Sequence, residues 1–172
     1  MTVYVNRIFF STNDHPKLLG ISIYFQGCDR SPKCLLCHNK ETWEPYRRFK
    51  YDLEDLIQIL KDKINYALES YDKIAVVYLG GEPLAPYNRD AVFQISKELK
   101  EEFSEKIVNT LYSWRTLEEI ESQNLENYIE YMDELVLGPY DHTQRNVDEK
   151  GNVLFPASKN QKYIKFNKVL SK

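Results

Sequence analysis

All three cysteines of the sequence lie within one short segment, YFQGCDRSPKCLLCHNKETW, residues 24–43. Thiolates at Cys28, Cys34 and Cys37 can bind three irons of a cubane iron-sulfur cluster and leave the fourth iron to a ligand from outside the protein. Together with one histidine they can instead form a Cys3His zinc site. Three buried thiols can also act simply as small apolar core residues. The Cys-x5-Cys-x2-Cys spacing alone leaves these three alternatives open.

The histidines are poorly placed in the sequence to complete a zinc site. A closed structural zinc site needs four donors. His38 directly follows Cys37, so binding of both side chains to one ion is strained. His15 and His142 are far from the cysteines in the sequence, and only the fold could bring them near.

A second motif, GGEPL at residues 80–84, places a carboxylate beside two glycines. Because glycine has no side chain, a ligand can approach the backbone closely at these positions. The Glu82 carboxylate can accept hydrogen bonds from an ammonium group. Taken alone, the motif is more typical of a Gly-Gly turn followed by a solvated glutamate than of a binding site.

The composition indicates one globular domain spanning residues 1–172. The hydrophobic content is 42% and the formal net charge is -3, so the sequence offers no electrostatic attraction to nucleic acid or to an anionic membrane. No apolar run is long enough for a membrane span, and the start of the chain does not resemble a signal peptide. We therefore expect a cytoplasmic protein with reduced thiols.

Apolar patterning predicts alternating strands and helices. The strands are expected at residues 18–25, 74–79, 106–114, 133–140 and 161–166, the helices at 51–71, 88–103 and 116–122, and a loop at 141–152. The first helix has apolar residues at three- and four-residue intervals, with Asp52 as a possible N-cap. Alternation of this kind favours a parallel sheet, in which ligands bind beyond the carboxyl ends of the strands. The cysteines and GGEPL both follow such ends.

The motifs together resemble the radical S-adenosylmethionine enzymes, and within them the activating enzymes of anaerobic (class III) ribonucleotide reductases. FQGC, CLLCHNKETW, GGEPL, DELVLGP and ASKNQKYI occur in the order expected of these activating enzymes. NKETW and KNQ are more specific than the cysteines. The resemblance extends over nearly the whole chain.

The resemblance implies an α/β fold, an incomplete (β/α) barrel in a single domain. It also implies that the cysteines hold a [4Fe-4S] cluster whose open iron binds S-adenosylmethionine. Reductive cleavage would give a 5'-deoxyadenosyl radical that generates a glycyl radical on the large subunit of the reductase. A flavodoxin- or ferredoxin-type protein would donate the electron. The implied metal ligands are Cys28, Cys34 and Cys37, and the implied cofactor-binding residues are Leu36, His38, Gly80, Gly81, Glu82 and Ser113.

The sequence departs from this family in three places. The first two cysteines are separated by five residues where the family has three, and NDHPKLLG retains only Pro16 of a Gly-Pro-Gly and arginine element. Leu137 stands where an aspartate is typical. Two alternatives therefore stay open: a small radical enzyme with another substrate, such as a peptide or a nucleobase precursor, and a non-catalytic zinc-binding module.

Four further side chains have predicted positions. We expect Trp43 and Trp114 to be core residues, since large aromatic side chains are usually buried. Asn160 and Gln161 either satisfy backbone groups of their own loop or lie at the edge of the site.

Overall fold

A computed structural model describes residues 1–166, so residues 167–172 of the predicted domain lie outside the described part. The described part contains the strands β1 (Thr2–Ser11), β2 (Gly20–Phe25), β3 (Phe49–Asp52), β4 (Ile74–Gly80), β5 (Ile107–Ser113), β6 (Glu134–Leu137), β7 (Arg145–Val147), β8 (Val153–Ser158) and β9 (Lys162–Lys165). It also contains the helices α1 (Leu53–Leu68), α2 (Arg89–Phe103) and α3 (Leu117–Ser122). Every helix described is too short or too polar to cross a lipid bilayer.

The main sheet has seven strands in the order β3-β1-β2-β4-β5-β6-β9. The four central strands β2, β4, β5 and β6 are parallel to one another. β1 is antiparallel to both of its neighbours, and β9 is antiparallel to β6. β7 and β8 form a separate antiparallel hairpin. The carboxyl ends of the four parallel strands therefore meet at one edge of the sheet.

The helices cover one face of the sheet. Buried side chains of α1 and α2 belong to the same hydrophobic cluster as Ile21 and Ile23 of β2 and Val76 of β4. Because successive side chains of a strand point to opposite faces, the residues between them lie on the other face. That face carries a smaller cluster with Tyr24 and Val77.

Helix α1 forms as its apolar spacing predicts. Leu53, Ile57, Leu60 and Ile64 are all buried against the sheet. Asp52 occupies the N-cap position in an extended conformation, but its side chain makes no capping hydrogen bond. α1 is therefore held mainly by burial of its apolar stripe, as is usual for amphipathic helices.

Four strands were not expected from the sequence: β1, β3, β7 and β8. β8 contains Pro156 and is largely exposed or half-buried, so it carries no clear apolar pattern. β1 is interrupted by polar residues and by an irregular register between Val5 and Arg7, and β3 has only four residues, so neither has a clear alternation. The stretch 141–152 was predicted as a loop, yet it contains β7, which has three residues. Short or irregular strands at the edges of a fold carry little periodic signal.

Candidate functional site

The two motifs meet at the carboxyl ends of the parallel strands. The cysteine loop (residues 26–48) follows β2, the Gly-Gly-Glu loop (residues 80–84) follows β4, and residues 113–115 end β5. These segments line one cavity of about 740 Å³. Of the site residues expected from the sequence, the cavity is lined by Cys28, Cys34, Cys37, His38, Gly80, Gly81, Glu82 and Ser113.

Leu36 is the expected site residue that does not line this cavity. Its side chain is 55% exposed, and its φ of 57° lies in the left-handed region. Leu36 belongs to the turn that joins Cys34 to Cys37, in which the Cys37 N–H donates to the Cys34 carbonyl over 3.3 Å. The left-handed backbone conformation of Leu36 therefore shapes the turn that orients the thiols of Cys34 and Cys37.

The three thiols are free and half-buried. The Asn39 N–H donates to the Cys37 sulfur over 3.4 Å, and a backbone hydrogen bond from Arg30 acts on Cys28. Backbone N–H groups of this kind stabilise thiolates that bind iron. Burial is the largest influence on Cys28 and raises the pKa of its thiol to about 11. Free, accessible thiols with amide donors fit the ligand set of an iron-sulfur cluster.

The long spacer between the first two cysteines is a bulge closed by a lysine. Ser31 and Pro32 are exposed at its tip. The Lys33 ammonium donates to the carbonyl of Cys28 and, over 3.1 Å, to the carbonyl of Arg30. Two additional residues are thus accommodated on the surface without moving Cys28 away from the cavity.

The glycines bring the two loops into direct contact. A Cβ atom added at Gly81 would lie 2.2 Å from the carbonyl oxygen of Gly27, which is closer than real contacts allow. The same Gly27 oxygen accepts the Glu82 N–H over 2.7 Å, and the Cys28 N–H donates to the Trp43 carbonyl over 3.0 Å. Gly81 is therefore needed for the backbone approach that positions Cys28.

Glu82 is fully buried and receives four hydrogen bonds. Its Oε2 accepts the Leu84 N–H, the Ser113 hydroxyl at 2.7 Å and the Arg115 guanidinium at 3.0 Å, and its Oε1 accepts the Trp114 N–H at 3.0 Å. Burial raises the pKa of Glu82 to about 7, against the lowering effects of Arg115 and of the Ser113 and Trp114 donors. Oε1 has one of these bonds and Oε2 three, so Oε1 keeps more capacity to accept a further donor.

Arg115 and Asp29 belong to the site and were not expected from the sequence. The Arg115 side chain is 3% exposed and forms an ion pair of 2.5 Å with Asp29, the residue after Cys28. The Trp114 indole N–H donates to Asp29 over 3.0 Å. Trp114 and Trp43 are half-buried and line the cavity, so the expectation that both are core residues is wrong. The position of Arg115 directly after a parallel strand is the one sequence signal for its role.

The face of the sheet opposite the helices supplies a polar wall of the cavity. The Asp14 carboxylate accepts hydrogen bonds from Ser22 at 2.7 Å and from the Tyr24 hydroxyl at 3.0 Å. The Tyr112 hydroxyl donates to the Asp14 carbonyl over 2.5 Å. Asp14, Tyr24 and Tyr112 all line the cavity. These residues add hydroxyl groups and one carboxylate to the site, and the motifs alone do not predict them.

The late loop also borders the cavity. Gln161 lines it and donates to the Gly138 carbonyl over 3.1 Å, and Asn160 donates to the Pro139 carbonyl over 2.8 Å. Both expected roles apply to Gln161, because its Oε1 also accepts the N–H of Ser158 in its own loop over 3.1 Å, whereas Asn160 does not line the cavity.

The histidines do not complete a zinc site with the cysteines. Both ring nitrogens of His15 are engaged, with Nε2 2.7 Å from Glu134 and Nδ1 accepting the N–H groups of Lys17 and Leu18. The His38 ring packs 4.4 Å from that of Tyr140, measured between centroids. Within residues 1–166, no three His, Cys, Asp or Glu side chains converge as a single ion requires. A cubane cluster has its irons at separate corners, so its ligands need not converge in this way.

Comparison with known proteins identifies one family. The model of the 4Fe-4S single cluster domain family matches residues 19–164, which include all three cysteines and the whole Gly-Gly-Glu loop. No curated protein sequence matches the chain.

Proposed function

This chain belongs to the 4Fe-4S single cluster domain family, and from that premise we propose that it reductively cleaves S-adenosylmethionine and generates a glycyl radical on an anaerobic ribonucleotide reductase. One observation carries the proposal. The loop with three thiols and the loop with the buried Glu82 are in backbone contact around a single cavity. A cluster held by three cysteines has one iron without a protein ligand.

The bound cluster would supply the electron that cleaves the sulfonium bond of S-adenosylmethionine. Cys28, Cys34 and Cys37 would hold it. The Gly-Gly-Glu loop would receive the methionyl ammonium, since Oε1 of Glu82 keeps acceptor capacity and Gly80 and Gly81 line the same cavity as the cysteines. His38, Ser113 and Leu36 are the further candidates for cofactor contacts.

The fold that we propose is consistent with this arrangement. Helices cover one face of the sheet, and the opposite face lines the cavity, as in an incomplete (β/α) barrel with an accessible interior. The reductase large subunit would be the protein substrate, and a flavodoxin- or ferredoxin-type protein the electron donor.

Electron paramagnetic resonance tests the proposal. Protein reconstituted anaerobically with iron and sulfide and reduced with dithionite is expected to give a reduced cubane signal that changes shape when S-adenosylmethionine is added. A Cys34→Ser variant is the matched control and should lose the signal. A cluster signal that does not respond to S-adenosylmethionine would contradict the proposal.

Two alternatives are separated from the proposal by further assays of the reconstituted protein: S-adenosylmethionine cleavage with and without a reductase, and metal analysis. Cleavage of S-adenosylmethionine without radical formation on any class III reductase would indicate a small radical enzyme with a peptide or nucleobase-precursor substrate. Retention of one zinc per chain, with no cluster absorbance, would indicate a zinc-binding module.

A further inference from the structure

Arg115 is a buried cation beside the cysteine loop. It lies two residues beyond the end of β5, and its side chain is 3% exposed. Its Nε donates to the Gln123 side chain over 2.8 Å, and its guanidinium lies 4.5 Å from the centre of the Trp114 ring. Buried arginines are normally paired, because an isolated charge is costly in a protein interior.

The partners of Arg115 are carboxylates from two different loops. Nη2 pairs with Asp29 at 2.5 Å, and Nη1 pairs with Glu82 at 3.0 Å. Asp29 follows Cys28 in the chain, and Glu82 follows the glycine that contacts Gly27. The planar fork of a guanidinium can bind both carboxylates at once, which a lysine ammonium cannot do with the same geometry. One side chain thus links the cysteine loop to the Gly-Gly-Glu loop.

The charges in this group are unequal. Two carboxylates and one guanidinium leave an excess of one negative charge when both carboxylates are ionised. Reduction of a cluster adds a further negative charge, and the field of nearby charges together with burial sets its reduction potential. Removal of Arg115 would leave both carboxylates uncompensated in a buried region, where charges interact more strongly than in water.

We propose that Arg115 is a positioning residue for the cluster, which holds the cysteine loop against the Gly-Gly-Glu loop and offsets the carboxylates beside Cys28, making the cluster easier to reduce. The proposal requires a cluster on the three cysteines. It does not depend on S-adenosylmethionine cleavage or on the identity of any partner.

The test is a redox titration of the reconstituted protein, followed by electron paramagnetic resonance. Arg115→Gln removes a positive charge, so its midpoint potential should move to more negative values than that of the wild type. Asp29→Asn removes a negative charge, so its midpoint potential should move to more positive values. Shifts of opposite sign are not expected if the ion pair only stabilises the fold.

Two variants separate charge from position. Arg115→Lys keeps the positive charge but loses the planar guanidinium that binds both carboxylates. The midpoint potential of its cluster should therefore be close to that of the wild type, whereas less iron should be retained after desalting. Lys100→Gln breaks a comparable part-buried pair, Lys100–Asp133 at 2.9 Å, near the start of β5. The seven residues of β5 place it about 20 Å from the site, so its loss should lower stability without moving the potential.

The outcomes are distinguishable. Iron and sulfide analysis first establishes whether the wild type holds a cluster, and its absence would overturn both this proposal and the cysteine assignment. With a cluster present, unchanged potentials in Arg115→Gln and Asp29→Asn, or shifts of the same sign, overturn the role of Arg115 alone. If Arg115→Gln does not fold, Asp29→Asn still tests the predicted sign of the shift in midpoint potential.

Discussion

At the scale of single residues, the site combines one thiol that is a poor nucleophile, Cys28, with the fully buried carboxylate of Glu82. Burial raises the pKa of Cys28 to about 11 and that of Glu82 to about 7. Both groups are destabilised as anions by the loss of water. A bound cluster and the neighbouring donors would stabilise these anions, so the environment of the two groups is suited to a positively charged metal centre.

The pKa of Cys28 gives a pH-dependent prediction. In the metal-free double variant Cys34→Ser/Cys37→Ser, alkylation of Cys28 by iodoacetamide should be roughly a hundredfold slower at pH 8 than that of an unperturbed thiol, because only the thiolate reacts. The rate should rise about tenfold per pH unit up to pH 10. The urea-unfolded chain is the control and should titrate near pH 8.5. The same midpoint in the folded protein would contradict the effect of burial.

The residues of the site were predictable from sequence only where a motif marks them. The cysteines and Glu82 stand in short recognisable segments. Asp29 and Arg115 are 86 residues apart in the sequence and acquire a joint role only when β2 and β5 bring their loops together. Asp14 is likewise hydrogen-bonded to Tyr24 and Tyr112, and no local sequence pattern predicts these tertiary contacts.

At the scale of elements, the loops after β2 and β4 behave as one structural unit. Gly81 contacts the Gly27 carbonyl, and two backbone hydrogen bonds, from Gly81 to Phe25 and from Glu82 to Gly27, join the loops. Such a unit transmits a change in either loop to Cys28.

Gly81→Ala tests this coupling. The added methyl group overlaps backbone atoms that cannot move independently, so we expect the free energy of unfolding to fall by about 1–3 kcal/mol. Iron retention after reconstitution should fall as well. Chemical denaturation and iron analysis measure the two effects.

Gly151→Ala is the control for that experiment. Gly151 has a φ of 84° but no atoms within 4 Å of an added Cβ. It should cost about 1 kcal/mol of backbone strain and leave iron retention unchanged. Equal iron retention in the two variants would show that the loops are not coupled at Gly81.

The predictability of the elements follows their burial. β4 is a continuous apolar run that is buried on both faces, and this pattern is typical of central parallel strands. The apolar stripe of α1 was equally clear in the sequence. β1 and β7 were missed because an irregular register and a length of three residues remove the periodicity on which such predictions depend.

At the scale of the whole molecule, the cavity lies between the β7–β8 hairpin and the face of the sheet opposite the helices. Exposed apolar side chains occur on two of its borders: Leu35 is 65% exposed in the cysteine loop, and Val153 and Leu154 are 49% and 46% exposed in β8. Exposed apolar groups beside a cavity are typical of surfaces that contact another protein.

Replacement of Leu154 tests whether a protein substrate docks here. Under the proposed function, Leu154→Asp should reduce glycyl radical formation on the reductase several-fold, because it places a charge in the contact. Cleavage of S-adenosylmethionine in the absence of the reductase should fall much less than radical formation, because Leu154 lines the cavity but is not among the proposed cofactor contacts. Leu117→Asp is the control, since Leu117 is 39% exposed and does not line the cavity. Equal radical yields from the two variants would exclude the hairpin as part of the contact.

The turn from Cys34 to Cys37 has a consequence for handling in air. Its hydrogen bond defines a four-residue turn, in which the terminal Cα atoms are less than about 7 Å apart. A disulfide spans a similar Cα separation. If oxygen destroys the cluster, these two thiols can therefore oxidise to each other within the same chain. Such protein would need a thiol reductant before iron and sulfide could be restored.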